Sequence, residues 1–173
     1  AFKAKLGPDV AATMITNPNT CGLFESEIIE IAEAIHAAGG YFYCDGANFN
    51  AIVGRVRPGD LGIDCMHINL HKTFSTPHGG GGPGSGPVVL SRELAPFAPL
   101  PYVVHGPDGF GLIEHDGDPR AIGPQSGARA FGRLKGFHGQ MGMFIRALAY
   151  MMSHGADGLR QVASDAVLNA NYL

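Results

Sequence analysis

Short apolar runs separated by turn-forming residues mark the first half of the chain. One run covers residues 10–16 and ends at the Asn-Pro-Asn segment of residues 17–19. Three similar runs cover residues 41–44, 66–70 and 87–90. Apolar runs of this length, bounded by Asn, Pro and Gly, are typical of buried strands. We therefore predict four strands in this half of the chain.

A helix is predicted between the first two strands. Its apolar residues recur at helical spacing: Ile28, Ile31, Ala32 and Ile35. Gly39 and Gly40 follow, and they predict where the helix ends. A strand, a helix and a strand in this order, with apolar strands, predict a parallel, right-handed α/β unit. In such sheets ligands bind beyond the carboxyl ends of the strands.

The second half of the chain has a different character. Residues 91–130 are rich in Pro and Gly and show no clear periodicity, which predicts a long loop that is functional or extends toward another subunit. Residues 143–152 are apolar nearly all round a helix, which predicts a buried helix. Apolar residues recur at helical spacing from 159 to 173, and no residue that ends a helix follows them. We therefore expect the chain to be a piece of a longer protein.

Composition narrows the class of protein. The 173 residues are 45% hydrophobic and 16% charged with a net charge of −3, which fits a globular domain and argues against binding to nucleic acid or an anionic membrane. The three scattered cysteines are typical of reduced thiols in a cytoplasmic protein. Glycine is concentrated, because six of the eight residues from 79 to 86 are Gly. This run predicts that backbone approaches a ligand or a subunit interface closely.

Three polar residues follow the predicted strands at the edge where ligands bind: Asp45, His71 and Lys72. A lysine in such a place is most often a surface residue whose ammonium group reaches water. With His71 beside it and a carboxylate on a neighbouring strand, Lys72 also fits a lysine that forms a Schiff base with an aldehyde cofactor. Asp45 can be the anion that keeps the ring nitrogen of a pyridine cofactor protonated.

Several longer segments of the chain resemble one protein family. They are residues 16–20, 45–51, 57–60, 69–74, 77–84 and 168–172. The tract from 69 to 87 is the most specific, since it contains Asn-Leu-His-Lys-Thr-Phe and Pro-His-Gly-Gly-Gly-Gly-Pro-Gly. In these segments the chain resembles the glycine-decarboxylating P-protein of the glycine cleavage system, a glycine dehydrogenase. Residues 132–147 most resemble the separate second subunit of two-subunit members.

The resemblance implies an α/β enzyme of fold type I that uses pyridoxal 5'-phosphate (PLP). Lys72 would carry the cofactor as a Schiff base, and Asp45 would hold its pyridine nitrogen. Ala47 would lie against the ring face, and His71 would sit beside the lysine as a second catalytic residue near the cofactor. Weaker candidates for contacts to the phosphate or the ring oxygen are Asn69, Thr16 and Thr20. Residues 1–150 would then be part of a PLP-binding large domain, and residues 151–173 would begin the helix that leads to a small domain.

The resemblance also implies the reaction and the partners. Glycine would lose CO2, and its aminomethyl group would pass to the lipoyl arm of H-protein. The companion subunit, or the upstream half of the same chain, would complete the enzyme. The compartment would be the cytoplasm, or the mitochondrial matrix in a eukaryote.

Alternative interpretations remain open at the level of sequence. A metal site is conceivable because His67 and His71 lie near Asp64 and Cys65, but structural zinc requires four ligands with recognisable spacing, so we expect no metal. Another fold-type-I enzyme, such as an amino-acid decarboxylase or a cysteine desulfurase, would share the PLP residues. A third possibility is an α/β module without activity.

Overall fold

A four-stranded sheet lies at the centre of the first part of the molecule. The computed structural model describes residues 1–78, 84–122, 129–134 and 138–173. In chain order the strands of this sheet are β1 (Ala12–Thr16), β2 (Tyr41–Gly46), β3 (Cys65–Ile68) and β4 (Val88–Leu90), and they lie side by side in the same order. The predicted strands are therefore confirmed, with bounds shifted by up to two residues.

The strand directions agree with the predicted α/β class. β1 pairs with β2 in parallel, and β2 pairs with β3 in parallel. The N–H of Ile68 donates to the carbonyl of Pro87, and the N–H of Leu70 donates to the carbonyl of Ser85. Residue numbers therefore rise along β3 while they fall along the segment that leads into β4, so these two segments run antiparallel. With β1, β2 and β3 parallel to one another, the sheet is mostly parallel.

Helix α1 (Ile28–Ala37) covers one face of the sheet. Its residues Ile28, Ala32 and Ile35 are buried and form a core cluster with Phe42 of β2. Burying an aliphatic or aromatic side chain of this size stabilises the fold by about 1.5 to 3 kcal/mol. The helix ends where glycine predicted it, since Gly39 has a φ of 83°, a conformation that glycine adopts without strain. The predicted helical stripe is therefore confirmed.

The strand predicted for residues 66–70 is shorter than expected. β3 ends at Ile68, and Leu70 lies on a single helical turn, α2 (Leu70–Thr73). The reason is local, because the carbonyl of Asn69 accepts the N–H groups of Lys72 and Thr73, both at 3.1 Å. The turn also buries Leu70, which packs in a cluster with Phe74 and the beginning of the last helix.

The last helix, α3 (Met141–Tyr172), is broken at Gly155, where φ is 63° and ψ is −176°. The prediction of a helix buried all round over residues 143–152 is wrong. Met143 and Ala147 are buried, and Tyr150 and Met151 are partly buried against the same cluster. Four other large apolar residues of the stretch are exposed: Phe144, Ile145, Leu148 and Met152. Only one side of the helix packs on the α2 cluster, and no described residue buries the other. The predicted helix over the last 15 residues is confirmed up to Tyr172.

The chain divides into two compact units, residues 1–89 with 140–173 and residues 90–139. The second unit contains an antiparallel hairpin of β5 (Tyr102–Gly106) and β6 (Gly109–Ile113). The prediction of a structureless loop over residues 91–130 is therefore wrong in this part. The Pro-Asp-Gly sequence at 107–109 is a turn signal, and Gly109 has a φ of 96°. The domain boundary at residue 150 stays a prediction.

No helix among the described residues has both the length and the apolar character needed to cross a membrane.

Candidate active site at the carboxyl edge of the sheet

Three polar residues form a row across the carboxyl edge of the parallel strands. The register aligns Thr16 of β1 with Asp45 of β2, and Asp45 with His67 of β3. Aligned residues of neighbouring strands lie on the same face of a sheet, and successive residues lie on opposite faces. Since Phe42 faces α1, these three residues are on the face that α1 leaves uncovered. The row therefore places a carboxylate and an imidazole on an accessible surface.

Asp45 is held by two contacts to the same oxygen. The backbone N–H of Ala47 donates to Oδ1 of Asp45 at 2.8 Å. Nε2 of His67 lies 3.2 Å from that oxygen, and the two side chains are each 26% exposed. No hydrogen bond to Oδ2 is present in the part of the chain that the structure describes. One carboxylate oxygen is thus fixed by the protein, and the other is available.

His67 has a second partner on β2, the hydroxyl of Tyr43. The hydroxyl of Tyr43 lies 2.7 Å from Nδ1 of His67, and the two rings are tilted with centroids 5.8 Å apart. Burial raises the pKa of Tyr43 above its usual value, with further increases from Cys65, Asp45 and Cys44. The phenol therefore keeps its proton at neutral pH and can donate a hydrogen bond.

The sequence alone indicates His67 only as a conceivable metal ligand and places Tyr43 only in a predicted strand, so it does not reveal this contact. The described residues contain no group of three or more His, Cys, Asp or Glu side chains placed to hold a metal ion. A signal was available, because strand periodicity places Tyr43 and Asp45 on one face and a parallel neighbour can align His67 with Asp45.

Lys72 lies on α2, the turn that directly follows β3. Its side chain is exposed, and no hydrogen bond or ion pair to its ammonium group is found within the described ranges. Its backbone N–H is bound to Asn69, which also fixes the start of the turn. The lysine is therefore anchored through its backbone and has a side chain that is available for chemistry.

His71 is partly buried and has an unusual environment. Its ring packs edge-on against His78, with centroids 4.1 Å apart, and its Nδ1 is buried without a hydrogen-bond partner among the described residues. Burial lowers the pKa of His71 below its usual value, and His78 and Lys72 lower it further. The imidazole is therefore neutral at neutral pH. A buried polar atom without a partner marks a place where a ligand or water can bind.

The remaining predicted residues are more scattered. Asn69 is half-buried at the start of α2, where its side chain makes no capping bond. Thr20 lies on an exposed turn at the border of a cavity of about 380 Å³ that Asn48 and Asn171 also line. The structure thus brings Thr16, Asp45 and Ala47 together. Among the described residues, no side-chain hydrogen bond or ion pair joins this group to His71, Lys72 or Thr20.

The glycine run from 79 to 86 lies mostly outside the described residues, which resume at Gly84. A Cβ atom added at Gly86 would lie 3.1 Å from the carbonyl oxygen of Ile68, and one at Gly84 would lie 3.9 Å from the His71 ring. The end of the run therefore passes close to β3 and to His71. The predicted approach of residues 79–83 to a ligand or interface stays a prediction.

Comparison with known proteins identifies the family. The chain is 72% identical over 172 residues to the probable glycine dehydrogenase (decarboxylating) subunit 2 of Caulobacter vibrioides. The aligned residues cover 99% of this chain and 32% of that protein. The subunits of the same name from Exiguobacterium sibiricum and Methylococcus capsulatus are 53% and 51% identical, over 99% and 100% of this chain. The chain belongs to the family of glycine dehydrogenase (decarboxylating) subunit 2. The membership predicted from the motifs is therefore confirmed.

The chain spans about a third of the length of these curated glycine dehydrogenase relatives. No protein-family model matches it. Among solved structures, the cysteine desulfurase CsdA of Escherichia coli is 17% identical and covers 87% of this chain and 35% of its own, with a TM-score of 0.49. The methionine gamma lyase CalE6 of Micromonospora echinospora is 19% identical and covers 88% of this chain and 33% of its own, with a TM-score of 0.43.

Proposed function

We propose that this chain is the segment of a glycine dehydrogenase subunit that binds PLP covalently through Lys72. The whole enzyme, of fold type I, would decarboxylate glycine and transfer the aminomethyl group to the lipoyl arm of H-protein. One observation carries the proposal, namely the 72% identity over almost the entire chain to a subunit named for glycine decarboxylation. At this identity we expect the polar site residues of the two proteins to serve the same chemistry.

The polar atoms that the described residues leave unpaired fit this cofactor. The pyridine nitrogen needs an anionic partner, and Oδ2 of Asp45 has no hydrogen bond within the described ranges. The aldehyde needs a primary amine, and the side chain of Lys72 is exposed on the turn after the adjacent strand. The buried Nδ1 of His71 adds a third polar atom without a partner. When bound, the cofactor supplies an electron sink for the electrons released as the carboxyl group of glycine leaves.

The protein's own contribution is mainly electrostatic. The carboxylate of Asp45 favours a protonated ring nitrogen, and an ion pair at about 4 Å with an effective dielectric near 20 is worth about 4 kcal/mol. The N–H of Ala47 holds that carboxylate in place at 2.8 Å. Lys72 must lose a proton before its amine can attack a carbonyl carbon. The neutral His71 beside it can accept or donate a proton through Nδ1 at the same edge.

Contacts to the phosphate are proposed for the weaker candidates of the site. Thr16 is aligned with Asp45 on the accessible face, and Thr20 follows four residues later on the exposed turn. Hydroxyl groups and turn N–H groups are suitable ligands for a phosphate. Glycine, lipoylated H-protein and the companion subunit are the proposed partners of the whole enzyme.

The test uses the full-length subunit that contains this segment, together with its companion subunit and lipoylated H-protein. The assay follows exchange of labelled bicarbonate into the carboxyl group of glycine. Lys72→Ala should abolish H-protein-dependent exchange. Lys5→Ala is the matched control, since Lys5 is exposed on a 3-10 turn before β1, and it should exchange at the wild-type rate. Exchange that persists in the Lys72 variant would refute the proposal.

A further inference from the structure

A chain of three side chains leads away from the carboxylate of the candidate site. Tyr43 lies 2.7 Å from Nδ1 of His67, and Nε2 of His67 lies 3.2 Å from Oδ1 of Asp45. All three side chains lie on the sheet face that α1 leaves uncovered, because Tyr43 and Asp45 are two residues apart on β2 and His67 is in register with Asp45. Neighbouring strands of one sheet therefore build the whole arrangement.

The chemistry of the groups decides which nitrogen of His67 carries the hydrogen. An ionised carboxylate accepts hydrogen bonds and has none to donate, so Nε2 of His67 must carry the hydrogen. In the neutral imidazole this leaves Nδ1 as an acceptor, and the hydroxyl of Tyr43 is the donor that meets it. The raised pKa of Tyr43, caused first by burial, keeps that hydroxyl protonated. The carboxylate thus selects the tautomer of His67, and the hydroxyl of Tyr43 stabilises that tautomer by donating to Nδ1.

Among the described residues, the two polar contacts to the carboxylate of Asp45 fall on one oxygen. Oδ1 accepts the N–H of Ala47 at 2.8 Å and lies 3.2 Å from Nε2 of His67, while Oδ2 has no hydrogen bond to any described residue. These two contacts on one oxygen restrict rotation of the carboxylate. Restricting the carboxylate in this way makes Oδ2 the oxygen that a ligand can reach.

We propose that His67 and Tyr43 are positioning residues, which hold the carboxylate of Asp45 oriented so that Oδ2 can face the pyridine nitrogen of the cofactor. This inference rests on the proposed function, because it assigns the second oxygen to PLP. His67 selects the oxygen that remains available, and Tyr43 acts one step further away by stabilising the tautomer of His67 that faces Asp45. Both residues act through Asp45 and need not touch the cofactor.

The chain contains a matched pair of the same chemistry. Nε2 of His36 lies 2.8 Å from Oδ2 of Asp64, and that oxygen also accepts the N–H of Phe42 at 2.7 Å. Asp64 directly precedes β3, so this pair lies at the amino end of the strands, the end opposite to Asp45. Substitution of His36 removes a histidine–aspartate contact of the same residue types without touching Asp45.

The experiment compares Tyr43→Phe, His67→Phe, His67→Gln and the control His36→Gln in the full-length subunit with its companion subunit. The first measurement is the dissociation constant of PLP by absorbance titration. The second is the 15N NMR signal of PLP labelled at the pyridine nitrogen, which reports whether that nitrogen is protonated. The third is the 15N spectrum of histidine-labelled protein before PLP is added, which reports the tautomer of His67.

Removing the contact of His67 to the carboxylate should weaken PLP binding about tenfold in His67→Phe and move the pyridine signal toward the unprotonated form. His67→Gln keeps an N–H donor for Asp45 and should stay within about threefold of the wild type, by the same reasoning. Tyr43→Phe should broaden or shift the tautomer signal of His67 and cause a smaller loss of affinity. His36→Gln should match the wild type in all three measurements.

The outcomes separate this inference from the proposed function. PLP that binds through Lys72 with an unchanged dissociation constant and pyridine signal in both His67→Phe and Tyr43→Phe would overturn the positioning roles alone. Wild-type enzyme without PLP on Lys72 would overturn the proposed function and the inference with it. If His67→Phe does not fold, Tyr43→Phe decides, since it removes only a hydroxyl group. Unchanged tautomer, affinity and pyridine signals in that variant would then overturn the inference.

Discussion

Replacing Asp45 by Asn should separate cofactor binding from cofactor reactivity. The amide oxygen of Asn can still accept the N–H of Ala47, which lies 2.8 Å from Oδ1 of Asp45, so the local backbone should keep its structure. What is lost is the negative charge opposite the pyridine nitrogen. At about 4 Å and an effective dielectric near 20, this charge is worth about 4 kcal/mol. Because the side chain is 26% exposed, water screens part of this energy, and we expect a loss of about 2 to 4 kcal/mol.

The corresponding rate effect is large enough to measure. At about 1.4 kcal/mol per tenfold, glycine–bicarbonate exchange by the full-length Asp45→Asn enzyme should fall between about thirtyfold and a thousandfold. The absorbance of the bound cofactor should show that PLP is still attached. Asp60→Asn is the control, since Asp60 is exposed and its side chain pairs, among the residues that the structure describes, only with Arg57, at 3.7 Å. Exchange within threefold of the wild type in Asp45→Asn, with full cofactor content, would refute the assignment of Asp45.

Two further predictions concern the fold. Gly46→Ala should strongly destabilise the first unit in chemical denaturation. The new Cβ would lie 2.0 Å from the carbonyl oxygen of His67 and 2.6 Å from Cε of Met66. A variant as stable as the wild type would contradict the register of β2 and β3. In the second unit, hydrogen bonds from Arg120 lower the pKa of Asp118 to about 2. Because this pKa is lower in the folded state than in the unfolded state, protonation of Asp118 favours unfolding. The contribution of Asp118 to stability should therefore be lost as the pH falls from about 4 to 2. An NMR titration of the Asp118 carboxyl carbon checks this value, and a midpoint near the usual 3.8 would contradict it.

The sequence predicted the features that depend on neighbouring residues. The period of Ile28, Ala32 and Ile35 predicted helix α1 and the face that it buries. The strands, and the positions of Asp45 and Lys72 near their carboxyl ends, followed from apolar runs and turn residues. The motifs around Lys72 predicted the family because a long, specific tract carries much more information than any periodicity.

The features that sequence reasoning missed depend on contacts between distant segments. The contact of His67 with Asp45 requires the register of β2 and β3, which a one-residue shift would destroy. The length of β3 depends on the carbonyl of Asn69 closing a helical turn instead of extending the strand. The apolar residues of α3 do not indicate which side of this helix other parts of the protein cover. Ile145, for example, is 59% exposed in the structure.

The central claim is that Lys72 carries the cofactor, and peptide mapping after borohydride reduction tests it most directly. The full-length subunit with its companion is saturated with PLP, reduced with borohydride, digested and analysed by mass spectrometry. The account predicts that the added phosphopyridoxyl mass is found on Lys72 and that it disappears in Lys72→Ala. Finding that mass on another lysine, or on none while the enzyme is active, would contradict the account.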